Sequence, residues 1–200
     1  MNIYHSYRSA DLLPLFRNKL PSRSRPDFYQ MTRWLDLTGK ESDFEQLAKF
    51  GLIPGTDSTL VYPEPEVSFN KYRLEFFVHG VRYMRDDGIE WCKSAQPGHQ
   101  VLPLLDVQNP VDPRAVALRP HEQNILLGYV PTFYASDLYT ILSDTRRAEA
   151  ARITVLKCNS DAPPQLRLLC RFEAPIPQSF VPLNSEEHQP LEQPLLRAAH

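Results

Sequence analysis

The spacing of apolar residues changes character twice along the chain. Up to about residue 56 it is helical. Asp11–Phe16 is expected to follow a Ser9 cap. Pro26 suits the first turn of a helix over Pro26–Leu37, in which Phe28, Met31, Trp34 and Leu35 share one face. A Ser42-x-x-Glu45 capping box opens a third helix that buries Phe44, Leu47, Ala48 and Phe50 and stops at Gly51. Helices this short do not persist alone in water, so they are expected to dock on a larger body. From Ser58 the period becomes two, predicting strands at Thr59–Tyr62, Tyr72–Tyr83, His99–Val107, Ala115–Arg119, Leu126–Val130, Ala151–Cys158 and Gln165–Phe172. Helices are expected over Asp87–Ser94 and Phe133–Ser143, with turns at Asp87-Gly88, Pro97-Gly98, Asn109-Pro110, Asp112-Pro113 and Pro163-Pro164. Closely spaced strands with little room for crossover helices predict a small antiparallel barrel or sandwich. Beyond Phe172, Pro175, Pro177, Pro182, Pro190 and Pro194 turn the chain into an extended strap. The division expected is a helical section over 1–66, a β domain over 67–174 and a Pro-rich tail over 175–200.

Composition narrows the chemistry. The chain has 19 Pro and 7 Gly, against averages of about 5% and about 7%. No two glycines are adjacent, so no phosphate-cradling glycine loop can be built and P-loop and Rossmann chemistry drop out. Three cysteines, Cys92, Cys158 and Cys170, form no C-x-x-C pair, which fits buried free thiols in a reducing, cytoplasmic setting and neither a zinc ribbon nor a disulfide framework. No apolar run reaches the ~18 residues of a membrane span, and the first residues lack the apolar core of a signal peptide. The net charge of −2 hides an asymmetry. Residues 1–40 hold seven Lys or Arg and three Asp, so a basic section precedes an acidic body. That section is either a docking surface for phosphates or an acidic partner, or a solvated helix face.

The segment with most information runs from Phe76 to Leu142. It holds Phe76-Phe77-Val78-His79-Gly80-Val81-Arg82-Tyr83, then Asp106-Val107-Gln108-Asn109-Pro110-Val111-Asp112-Pro113-Arg114-Ala115-Val116, then Leu127-Gly128-Tyr129-Val130-Pro131 and an amphipathic helix with Ala135, Leu138, Ile141 and Leu142. A G-[VL]-R-Y strand, an N-P-x-D-x-x-A-[IV] turn and an [IL]-G-[YH]-[VIL]-P strand leading into such a helix, in this order, resemble the HIRAN domain. The likeness covers roughly residues 70–157, and the stretch from Leu12 to Phe28 resembles what precedes the domain in stand-alone bacterial members.

The resemblance implies an α+β chain built on a small antiparallel OB-like β-barrel. It also implies a module like the one that grips the 3′-OH end of single-stranded DNA in SWI/SNF-type repair helicases. By that resemblance Arg82 and Tyr83 match the pair that holds the terminal nucleotides, and Asp112 matches the acid placed to accept from the terminal hydroxyl. Val111 stands where DNA-binding members carry an aromatic ring, Tyr129 replaces a histidine, and Thr132 replaces a lysine. The residues also have plainer readings. Arg82 and Tyr83 can end a strand with Arg82 paired to Asp86 or Asp87, and Asn109 and Asp112 can serve only to hold their turn. His79 reads as a core or edge histidine, Asp86/Asp87 and Glu186/Glu187 as solvated charge, and no nucleophile, acid–base or metal pattern is present. The function expected is a non-catalytic nucleic-acid-binding module without cofactor or metal, recognising single-stranded or damaged DNA ends in a repair, replication or processing context. The alternative is an interaction scaffold that recruits a DNA-processing partner through the N-terminal helices or the tail.

Overall fold

A computed structural model describes residues 10–38, 40–50 and 60–189. In chain order the elements are α1 (Pro14–Arg17), α2 (Phe28–Trp34), α3 (Asp43–Phe50), β1 (Glu66–Ser68), β2 (Lys71–Phe77), a 3-10 turn (Val81–Tyr83), α4 (Asp86–Ser94), β3 (Gln100–Leu105), β4 (Val116–Pro120), β5 (Gly128–Tyr129), α5 (Thr132–Leu142), α6 (Thr145–Ala150), β6 (Arg152–Cys158) and β7 (Leu168–Pro175). The seven strands form one antiparallel sheet in the order β1-β2-β7-β6-β3-β4-β5.

The sheet curls back on itself. Just past β2, His79 meets Tyr129 of β5 in an antiparallel bridge, each amide donating to the other's carbonyl at 2.9 Å. That bridge joins the last strand to the second and closes an OB-like barrel, as expected for an α+β chain. The seam demands glycine at position 128. Its φ is +138°, and a β-carbon there would lie 2.3 Å from the His79 carbonyl oxygen.

Strand alternation explains the core. Tyr72, Leu74 and Phe76 point inward from β2, while Lys71 and Arg73 face solvent. They meet Ile153 and Val155 of β6, Leu168, Cys170 and Phe172 of β7, Val116 and Leu118 of β4, and Tyr134, Leu138 and Ile141 of α5. Each such side chain contributes roughly 1.5–3 kcal/mol by leaving water. Across the outer face of β2 and β7, Arg73 pairs with Glu173 and Arg171 with Glu75, each pair in direct register.

Phe77 and Leu169 keep the alternation and so face outward, but they are apolar where their outward neighbours are charged, and this creates a second core. Phe28 of α2, Leu35 just after it, Ala162 and Leu166 cover them, with Met31 and Trp34 packed alongside. The face expected for α2 is therefore the face that docks. Asp161 accepts hydrogen bonds from Gln30, Arg33 and Trp34, and Asn159 donates to the Trp34 carbonyl. The expected capping box of α3 is formed: Ser42 donates its amide to Glu45 and accepts from the Glu45 amide.

Residues 176–189 pack as a strap. The Ile176 amide donates to the Asn70 carbonyl at 2.8 Å, Phe180 sets its ring against Tyr72, and the Leu183 amide donates to the buried Asp137 carboxylate at 3.0 and 3.1 Å. Tyr72 donates its hydroxyl to the same carboxylate.

Several expected boundaries move. Leu60–Tyr62 is not a strand, and Thr59, like the Ser9 cap and the Gly51 stop, lies outside the described residues. The edge strand is instead Glu66–Ser68, whose three residues are all exposed, leaving no alternation to read. The first two helices are shorter than expected, Pro14–Arg17 and Phe28–Trp34. The strand expected to run through Tyr83 stops at Phe77, because Gly80 takes φ +75° and turns the chain into the 3-10 segment. Gln165 belongs to a 3-10 turn over Pro164–Leu166, and the last strand begins at Leu168. Helix α6 was not expected. Asp144 caps it by accepting from the Arg147 amide at 3.0 Å.

Candidate nucleic-acid interface

The residues singled out by sequence gather at the end of the barrel where the seam closes. Asn109, Pro110, Asp112 and Pro113 shape the turn between β3 and β4. The Asn109 side-chain oxygen accepts from the amides of Val111 at 3.0 Å and Asp112 at 3.1 Å. Asp112 Oδ1 accepts from the Arg114 amide at 2.8 Å. The turn-holding reading is therefore correct for both residues. It does not exhaust Asp112: its Oδ2 has no hydrogen-bond partner among the described residues, and the half-buried side chain lines an open cleft.

That cleft has a volume of about 630 Å³. Val111, 87% exposed, and Asp112 come from the turn; Thr132 and Ser136 come from the first turns of α5. Thr132 and Ser136 are four residues apart and so share one side of the helix. Arg114 reaches across and donates to the Ser136 hydroxyl at 2.7 Å. The strap supplies the remaining wall through Ser185, Glu186 and Glu187.

Tyr129 sits between this cleft and the 3-10 turn. Its hydroxyl donates to Asp106 Oδ2 at 3.1 Å, and Asn109 donates to the same oxygen, so the ring is tied to the base of the turn. Burial, helped by the neighbouring Asp106 carboxylate that accepts its hydrogen bond, raises the Tyr129 phenol above its usual range. On its other side the ring lies alongside Gly80, 3.7 Å from where a β-carbon would stand. Beyond Gly80, Arg82 and Tyr83 project into solvent, Tyr83 being 71% exposed. Arg82 pairs with neither Asp86 nor Asp87. Its guanidinium lies over the Tyr83 ring, 4.5 Å from the centroid, and donates to the Tyr83 hydroxyl, while Arg85 takes Asp87.

The structure thus joins Val111, Asp112 and Thr132 in one cleft, uses Tyr129 as the adjoining support, and sets Arg82 and Tyr83 apart as an exposed stacked pair. Sequence reasoning missed Arg114, Ser136 and the strap residues. Arg114 lies within the turn motif and Ser136 one helical turn from Thr132, so both carried a signal. Nothing local marks Ser185–Glu187. His79 is a half-buried histidine of the seam, edge-on to Phe133, and its removal from solvent lowers its pKa. Burial drives the Cys92 thiol up to about 12 and raises Cys158 and Cys170 as well, so none is poised as a nucleophile.

A family model for the HIRAN domain matches residues 71–176. The chain belongs to the HIRAN domain family. Two solved structures are similar. One is a crystal structure of a protein from Lactobacillus plantarum, 17% identical, with TM-score 0.40, covering 52% of this chain and 96% of that one. The other is the HIRAN domain of human HLTF, 16% identical, with TM-score 0.40, covering 51% of this chain and 74% of that one. No curated protein matches. Within the HIRAN match lie all six expected site residues; Ser185, Glu186 and Glu187 lie beyond it. Among the described residues no helix is long and apolar enough to cross a membrane.

Proposed function

We propose that this HIRAN protein is a non-catalytic nucleic-acid-binding module that takes the 3′-OH end of single-stranded DNA, in a repair, replication or processing context. Family membership supports nucleic-acid binding. The observation that carries the finer reading is the meeting of Val111, Asp112 and Thr132 in one cleft, with Tyr129 linking it to the Arg82–Tyr83 pair. A terminal sugar in the cleft presents its hydroxyl to Asp112 Oδ2, a charge-assisted bond of about 1.5–3 kcal/mol. The preceding nucleotides run toward Arg82, which forks onto a phosphate, and Tyr83, whose exposed face stacks a base for roughly 1–3 kcal/mol. Val111 supplies apolar contact in place of a second stacking ring.

The recruiting-scaffold alternative has less to draw on. Phe28 and Leu35 of the N-terminal section, and Phe180 and Leu183 of the strap, are spent on the barrel itself.

Fluorescence anisotropy tests the reading by comparing a linear single strand bearing a 3′-OH with a circular strand of the same sequence. The linear strand is expected to bind more tightly, and Arg82→Ala and Asp112→Ala are each expected to weaken it about tenfold. Equal affinity for linear and circular strands rules out end recognition and leaves only a bulk phosphate attraction.

A further inference from the structure

The cleft has one wall that the HIRAN match does not supply. Residues 71–176 provide Val111, Asp112, Arg114, Thr132 and Ser136, whereas Glu186 and Glu187 come from the strap. We propose that Glu186 and Glu187 are specificity-determining residues of this cleft, an acidic wall that keeps phosphate out and admits only the uncharged end of a strand. The inference rests on the cleft being the nucleic-acid site.

Charge and size both point this way. A volume of about 630 Å³ is within the range that takes a small ligand. Three carboxylates line it, Asp112, Glu186 and Glu187, against a single guanidinium, Arg114, already engaged with Ser136. A terminal phosphate monoester carries about −1.5 to −2 charge near neutral pH. Brought into this cleft it meets like charge on two sides, and such juxtapositions are what exclude wrong partners from an interface. A sugar hydroxyl has no such conflict and can donate to any of the three acids.

The wall is fixed on both sides of the glutamates. Before them, Leu183 takes φ +51° and gives its amide to both oxygens of Asp137, and Phe180 lies against Tyr72. Around them, Ser185 donates to Glu187 at 3.0 Å and its hydroxyl lies 2.6 Å from His188 Nδ1, while the His188 ring stands edge-on to Tyr62. The acids are therefore held at the cleft mouth by the body of the protein and do not merely drift past it.

The deciding experiment measures binding of two labelled oligo-dT strands, one ending in a 3′-OH and one in a 3′-phosphate. It compares the natural chain with the E186Q/E187Q double variant, which keeps side-chain size and removes both charges. The natural chain is expected to prefer the 3′-OH end. The variant is expected to bind the 3′-phosphate strand about fivefold more tightly or better, with 3′-OH affinity changed by less than about twofold, because Asp112 remains. Amide exchange at Leu183 should be unaltered, showing that the strap is still seated. An unchanged preference overturns the inference while leaving end binding intact. An equal gain for both strands also overturns it, since the glutamates then restrain all nucleic acid alike. If neither protein binds either strand, the nucleic-acid reading fails and takes this inference with it.

Discussion

His79 holds the bridge by which the end of β2 meets β5, and its partial burial gives the barrel a pH dependence of definite sign. The folded-state pKa lies below the ordinary 6.5, so the fold favours the neutral ring. The unfolded chain binds its proton first as pH falls. Stability from this residue is therefore complete above about 6.5 and is lost as the solution is acidified toward the folded value. Urea midpoints measured at about pH 7.5 and about pH 5.5 should show that loss, and His79→Asn should show less of it. Across the seam, Gly128→Ala places a β-carbon 2.3 Å from the His79 carbonyl at φ +138°. It is expected to cost more than about 1 kcal/mol in denaturant unfolding. Both residues were in plain view in the sequence, His79 as a core or edge histidine and Gly128 within the Leu127–Pro131 strand motif. Their partnership was not, because it joins two segments about fifty residues apart.

Among the elements, α2 shows how far periodicity reaches. Its apolar face was readable from Phe28, Met31, Trp34 and Leu35, yet the surface that receives it depends on Phe77 and Leu169 placing apolar side chains at outward positions of their strands. Leu35→Ala is expected to cost ~2–4 kcal/mol and to raise proteolysis between α2 and the barrel, read by limited digestion and by the unfolding midpoint. The strands of the barrel were largely legible because one face is apolar. Edge strand β1 has no buried residue and gave no pattern, and the 3-10 turn carrying Arg82 and Tyr83 is set by one left-handed glycine inside an apolar run. Asp137 left a trace that went unread. It is an acid three residues after Tyr134 and four before Ile141, on the buried side of α5. Glu186 and Glu187 read as solvated charge because their position depends on Leu183 returning to Asp137, a contact 46 residues long.

For the molecule as a whole, whose net charge is −2, the expected response to salt follows from how many phosphates it neutralises. On the proposed reading, gripping one strand end with Arg82 and few other cations releases few counterions. The slope of log affinity against log salt should be shallow, about −0.7 to −1.4 for one or two phosphate contacts on single-stranded DNA. A slope several times steeper in an anisotropy titration would mean that the basic N-terminal section also holds the strand. The sheet order carries a further consequence, for how the protein is made. Strand β2 lies between β1 and β7, and its long pairing joins Leu74 to Phe172 and Phe77 to Leu169. During synthesis the first long strand of the barrel has no principal partner until the last strand has left the ribosome. Loop closure must precede the contacts that reward it, which places the chain among the slower-folding small topologies. Until then, Tyr72, Leu74 and Phe76 remain open to any other unpaired strand, so rapid dilution from denaturant should give aggregation that increases with protein concentration.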